Sequence, residues 1–289
     1  MTPLIVSVFF AASYSHVMRH GQEGKCSMAW VGGINYAVAS AVAVAIWAFL
    51  PGTKLGWPEW VFGVIGGAAW FAGYLLLNAS IRLAGVTIAQ CVGWLGVAVP
   101  VAASILFWRE IPNASQVAGL ALMGAALFLL APGKTSNVTR RSKWKAPALL
   151  GLFAVEGVIG VVMKAFAETA SEARTPGLLI FMFAVAGLGT VMVARRQGRG
   201  PSRSDTGHGV VLGLVAVAAN YAFVVAVGRI EGPVVFPAFW AGTILVTSVG
   251  AMVLWRERYN LRAVAGMIVA LLTMIFISVD VIALLRGLK

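Results

Sequence analysis

Apolar residues dominate this chain in ten stretches, at about 3–20, 29–50, 58–81, 85–107, 114–132, 147–169, 176–194, 209–228, 233–254 and 262–285, each closed by a few polar residues or by Gly and Pro. A helix crossing about 30 Å of hydrocarbon needs roughly 20 apolar residues, and every stretch is close to that length. The breaks carry helix-stopping chemistry, as in Pro51-Gly52, Ala131-Pro132-Gly133, Thr175-Pro176-Gly177 and Gly232-Pro233. The expected fold is an all-α membrane protein of ten transmembrane helices, with connections too short for a soluble domain.

The pattern repeats. Tyr74 to Leu130 laid without a gap onto Tyr221 to Ile277, an offset of 147, gives twelve identities in 57 positions. They include Trp108-Arg109-Glu110 with Asn113 against Trp255-Arg256-Glu257 with Asn260, and Val117-Ala118-Gly119 against Val264-Ala265-Gly266. The opening helices echo as well, Val17-Met18-Arg19 against Val162-Met163-Lys164. Such self-similarity reads as a duplication: a first five-helix repeat in 1–132, a basic connecting loop in 133–146 and a second repeat in 147–289. Five crossings is an odd number, so the second copy must thread the membrane in the opposite sense. Inverted repeats of this kind are a signature of secondary transporters.

Composition agrees with the periodicity. The chain is 60% hydrophobic and only 11% charged, where a soluble domain has about 25% charged residues. The net charge of +12 would suggest nucleic acid if it lay on one soluble face, but nine of the 22 basic residues fall in two short segments, Lys134 to Lys145 and Arg195 to Arg203. There they direct topology and meet anionic lipid, so no nucleic-acid partner is expected. Counted over the short loops, six basic residues share the side of the termini and fifteen lie opposite, which places both termini outside. The first stretch lacks a basic n-region and reads as a retained helix, not a signal peptide. Cys26 and Cys91 have no CxxC spacing and no ligand set nearby, so no metal, disulfide framework or other cofactor is expected.

Between Gly93 and Gly124 the motifs resemble a known family. Gly93-Trp94-Leu95-Gly96-Val97-Ala98-Val99-Pro100, then Trp108-Arg109-Glu110, then Gln116-Val117-Ala118-Gly119 and Gly124 look like the EamA-type repeat of the drug/metabolite transporter superfamily. The sequence departs from that pattern with Thr247 where the first copy has Pro100, and with no Trp-Gly step near Ala12 or Ser13. The resemblance implies a carrier whose cavity is built from the first four helices of each half, with the fifth at the periphery. It also implies cytoplasmic termini, against the charge count.

An ionisable group at bilayer depth is costly, by about 2.5–3.5 kcal/mol on insertion scales, and two stand near mid-helix. Glu156 is the candidate to hold a substrate ammonium or take up the coupling proton, against a structural role bonded to a neighbouring helix. Lys164, eight residues on, either faces the same cavity or snorkels to the interface. His16 is a candidate proton relay, against a plain helix–helix hydrogen bond. Trp70, Tyr74, Trp94, Tyr221 and Trp240 fall on the inner helices of the expected cavity, where aromatics enclose cationic or planar groups or simply fill volume. Asn78, Gln90 and Asn220 are neutral polar groups that must find partners in lipid, in substrate or in each other. Trp30, Trp47, Trp57, Trp60 and Trp144 lie near helix ends, as an interfacial belt requires.

These residues point to a secondary carrier, with export the expected direction, moving a small polar or aromatic metabolite, most simply an amino-acid-like one, by alternating access. Organic cations such as choline or toxic amines are the alternative substrates. An intramembrane enzyme is the alternative of another class, and no HExxH or GxSxG supports it. The expected partners are a small-molecule substrate, the lipid bilayer and, as a further candidate, a second copy of the chain. The expected location is a bacterial inner membrane.

Overall fold

The structure, a computed structural model, describes residues 1–50, 55–84, 92–130, 144–254, 256 and 261–278. Among these residues it is all-helical: α1 (Thr2–Glu23), α2 (Met28–Phe49), α3 (Trp57–Ala84), α4 (Ala98–Trp108), α5 (Ala114–Leu130), α6 (Lys145–Thr169), α7 (Thr175–Arg195), α8 (Arg203–Arg229), α9 (Gly232–Leu254) and α10 (Leu261–Ser278), with a 3₁₀ turn at Glu172–Arg174. Helices pair every backbone group internally, as hydrocarbon demands. Six of them are long and apolar enough to cross a membrane: α2, α3, α6, α7 with the preceding turn, α8 and α9. The protein is a multi-pass membrane protein.

The chain forms two compact units that cut across the sequence halves. Unit 1 comprises 1–71 and 162–229, and unit 2 comprises 72–161 and 230–289. In unit 1, α2 packs on α7 and α8, and α1 packs on α8. Its core joins Ala39 and Ala43 of α2, Leu179 and Phe183 of α7, and Ala216 and Val217 of α8. One end is tied by Asp205, whose carboxylate accepts from the backbone N–H of Ser27 at 2.7 Å and of Ser202 at 2.8 Å, while Ser202 Oγ accepts from Asp205 N. That reciprocal pair caps α8. The opposite end is held at the 3₁₀ turn. Arg174 binds the buried Glu59 with two nitrogens, and Arg229 binds Glu172 in the same forked way.

In unit 2, α5 packs on α10, α9 packs on α4 and α10, and a small-residue core of Ala126, Ala241 and Ala270 lets these helices approach. The fourth apolar stretch, expected as one span, is broken. Within the described residues a short helical piece, 92–95, ends in a turn at Gly96-Val97 before α4 starts at Ala98. Gly96 and Val97 donate to the Gly93 and Trp94 carbonyls in i→i+3 fashion. Pro100 therefore opens α4 in its first turn, where a missing N–H costs nothing, and does not kink a continuous helix. The second copy has a helix-interior proline of its own at Pro237 in α9.

The Trp-Arg-Glu step ends α4. Arg109 adopts the left-handed conformation, φ 56°, Glu110 N donates back to the Ser104 carbonyl at 3.2 Å, and Glu110 Oε2 accepts from Gly232 N at 2.7 Å. The acid so sits on the first turn of α9, where the helix dipole favours it. Arg256, the repeat equivalent of Arg109, has the same left-handed φ, 52°.

Candidate substrate site

Glu156 sits on α6 where α6 crosses the break in the fourth stretch. Two glycines of α6 make that crossing close: a methyl group at Gly157 would lie 2.5 Å from Val99 Cβ, and one at Gly160 would lie 2.6 Å from Pro100 Cγ. Opposite them is Gly96, where an added methyl would meet Glu156 Cβ at 2.8 Å and the Gly93 and Phe153 carbonyl oxygens at 2.8 and 3.0 Å. The outer part of the side chain runs past two further glycines. A methyl at Gly93 would be 3.9 Å from Glu156 Cγ, and one at Gly73 of α3 would be 3.8 Å from Oε1. Three glycines from α3 and the helix break thus form a cradle around one carboxylate, and Glu156 is half-buried in it. At this turn the backbone stays paired, with Val99 N donating to the Gly96 carbonyl and Val101 N to that of Val97, so the group the turn presents to a ligand is the Glu156 carboxyl itself.

Two of the expected aromatic residues adjoin the cradle in sequence. Tyr74 follows Gly73 and Trp94 follows Gly93, and both are half-buried. Trp240 also belongs to unit 2, edge-on to Phe239 at 5.5 Å. Asn78 donates to the Tyr74 carbonyl at 2.7 Å, one turn back along its own helix, which satisfies its amide locally.

The remaining candidates belong to unit 1. Trp70 stacks on Tyr36 at 6.2 Å and tilts against Phe183 at 5.2 Å, and Tyr221 packs against the same core. Asn220 donates to the Ala216 carbonyl at 2.9 Å, again one turn back. Lys164 is 2% exposed and pairs with Glu168 at 2.7 Å, so its ammonium is directed toward the end of α6. His16 is half-buried in α1, and Gln90 lies outside the described residues.

Three arrangements were not anticipated. One is the glycine cradle, whose members Gly93 and Gly96 were visible only as parts of a motif. A second is the pairing of His20 Nδ1 with His208 Nε2 at 2.8 Å, with His208 Nδ1 donating to the Ser204 carbonyl at 2.8 Å; it joins residues 188 apart in sequence, so no local pattern announces it. The third is a pair of equivalent intrahelical ion pairs, Arg19–Glu23 in α1 and Lys164–Glu168 in α6. The Val-Met-Arg and Val-Met-Lys echo was its signal, and Glu23 and Glu168 extend it by one helical turn.

Residues 2–132 match the EamA-like transporter family. The first half of the chain is EamA-like. This agrees with the drug/metabolite transporter motifs between Gly93 and Gly124, and points to a membrane transporter of small molecules. No curated relative matches the chain. A solved structure, described only as the crystal structure of a protein, superposes with a TM-score of 0.78 at 16% identity over 96% of this chain and 97% of its own. At that identity the likeness shows a shared fold alone.

Proposed function

We propose that this EamA-like chain is a secondary carrier of a small metabolite bearing a positively charged amine, working by alternating access of two inverted five-helix repeats in a bacterial inner membrane. The observation that carries the proposal is the cradle of Gly73, Gly93 and Gly96 around Glu156, which leaves a carboxylate beside an interrupted helix, where an ammonium group or a coupling proton can be bound. An ionisable group at bilayer depth is costly and is a functional candidate by default.

The inverted repeat is supported by which helices pair. Counting five helices to each copy, the second, fourth and fifth of one pack on the second, fourth and fifth of the other: α2 on α7, α4 on α9 and α5 on α10. Within each unit, elements that correspond in the two copies meet in pairs, as an inverted repeat predicts. The shared left-handed Arg109 and Arg256 and the matched ion pairs of α1 and α6 support the same relation.

The test is counterflow by the purified full-length protein in liposomes, with amino acids, choline-like cations and nucleotide sugars as the panel. Exchange of an amine-bearing solute that is lost in Glu156→Gln is the expected result, and the panel separates amino-acid-like substrates from organic cations. Exchange that is unchanged in Glu156→Gln removes Glu156 from the mechanism. If no solute exchanges while lipid or peptide hydrolysis appears, the carrier reading gives way to an intramembrane enzyme.

A further inference from the structure

Unit 1 carries a groove of about 590 Å³ between α2 and α7, lined by Ala37, Ala41 and Val44 on one wall and Ala184, Leu188 and Val191 on the other. Its floor is tight because the helices touch through glycines: a methyl at Gly33 would lie 2.8 Å from Val191 Cγ2, and one at Gly187 would lie 3.1 Å from Tyr36 Cβ. Ser40 also faces this region, but its hydroxyl donates to the Ile180 carbonyl at 3.3 Å. Nothing in the lining offers a polar substrate a partner. The groove opens outward, with Leu188 64% and Val44 43% exposed.

One end of the groove is basic. Arg195 follows Val191 by four residues and Leu188 by seven, so it continues their face of α7, and a helical side chain leans back over the turn before it. Arg196 caps the same helix, and both arginines are exposed. The first turn of α2 shares that end, where Trp30 Nε1 donates to the Arg199 carbonyl at 2.7 Å. The carboxylates described there are already engaged, Glu23 with Arg19 and Asp205 with Arg199. A hydrocarbon slot under an uncompensated positive mouth fits a ligand with a long apolar tail and an anionic head.

We infer that this groove binds an anionic phospholipid, with an acyl chain between α2 and α7 and the phosphate on Arg195 and Arg196. A second copy of the chain is the poorer occupant. Related by a two-fold axis along the membrane normal, it would bring the same arginines to the same depth, and like charges would repel. The lipid site does not depend on the carrier proposal.

The test uses the full-length protein in detergent, titrated with dioleoyl phosphatidylglycerol or dioleoyl phosphatidylcholine, with bound lipid read by native mass spectrometry and melting followed in parallel. Phosphatidylglycerol should bind more tightly and raise the melting temperature. Arg195→Ala with Arg196→Ala should weaken it about 30-fold, from about 1 kcal/mol per basic residue at an anionic surface and tenfold per 1.4 kcal/mol, and leave phosphatidylcholine unchanged. Ala37→Leu with Ala41→Leu, both exposed into the groove, should abolish the tight site while the lipid-free melting temperature holds. Phosphatidylglycerol preference that survives either pair of substitutions overturns the inference. So does a leucine pair that splits a dimer and leaves lipid binding intact, since the groove would then be a protein interface.

Discussion

The cradle around Glu156 makes the same chemical change act with opposite signs at two glycines. At Gly96, an alanine methyl would sit 2.8 Å from Glu156 Cβ and within 3.0 Å of two backbone carbonyl oxygens. Carbon atoms prefer about 3.5–4.0 Å, so roughly 0.7 Å must be made up by moving α6 or unwinding the break further. Overpacking of this kind costs about 1–3 kcal/mol. At Gly73, inside α3, the nearest atoms would be Val155 Cγ1 at 3.4 Å and Glu156 Oε1 at 3.8 Å, which is ordinary contact. There alanine removes a helix-interior glycine and should stabilise by about 0.5–1 kcal/mol. The two variants should therefore differ in unfolding free energy by about 1.5–4 kcal/mol, measured by denaturation in a single detergent. Because Gly96→Ala displaces the carboxylate, counterflow should also fall, by up to about 100-fold if the group is positioned as tightly as a reacting one. Gly96→Ala that unfolds and transports like the parent, or Gly73→Ala that is equally damaging, would refute the wedged placement of Glu156.

Three other substitutions are informative. Arg109 has a left-handed φ of 56°, which costs a residue with a Cβ about 1–2 kcal/mol, so Arg109→Gly should raise stability by about 1 kcal/mol in a denaturant series; a loss would mean that contacts of the arginine side chain outweigh the strain. Arg174→Ala should destabilise by about 3–5 kcal/mol, because it strands Glu59, which is 1% exposed. Arg229→Ala removes an ion pair whose side chains are 56% and 41% exposed, where solvent screens the attraction, and should cost far less than Arg174→Ala. Equal effects of Arg174→Ala and Arg229→Ala in thermal melts would contradict the burial argument.

Much of the architecture is legible in the sequence because a bilayer leaves few choices. Runs of about 20 apolar residues ended by Pro and Gly can only be helices in lipid, and all ten stretches contain a helix. The duplicated Trp-Arg-Glu step and the Val-Met-Arg echo are local patterns, and each marks a local structure that recurs in the other copy: the left-handed turn at Arg109 and Arg256, and the ion pairs of α1 and α6. Glu156 is conspicuous for a physical reason also readable in one dimension, the cost of a charge in an apolar run.

Tertiary packing decided the rest. Trp70 and Trp94 look alike in the sequence, each a tryptophan in an apolar run. Trp70 stacks on Tyr36 and tilts against Phe183, whereas Trp94 borders the break beside Glu156. Lys164 and Glu156 share a helix face by spacing, yet Lys164 is taken by Glu168 and Glu156 is left among glycines. The fourth stretch reads as one apolar run, since hydropathy is blind to whether a glycine packs against a carboxylate's own Cβ. The units are likewise not the sequence halves, because α1 packs on α8 and α2 on α7 and α8, helices of the second half of the sequence. Periodicity states that a helix has an apolar face. Which helix covers that face, and which glycine makes room for which side chain, is a property of atoms that meet from distant parts of the chain.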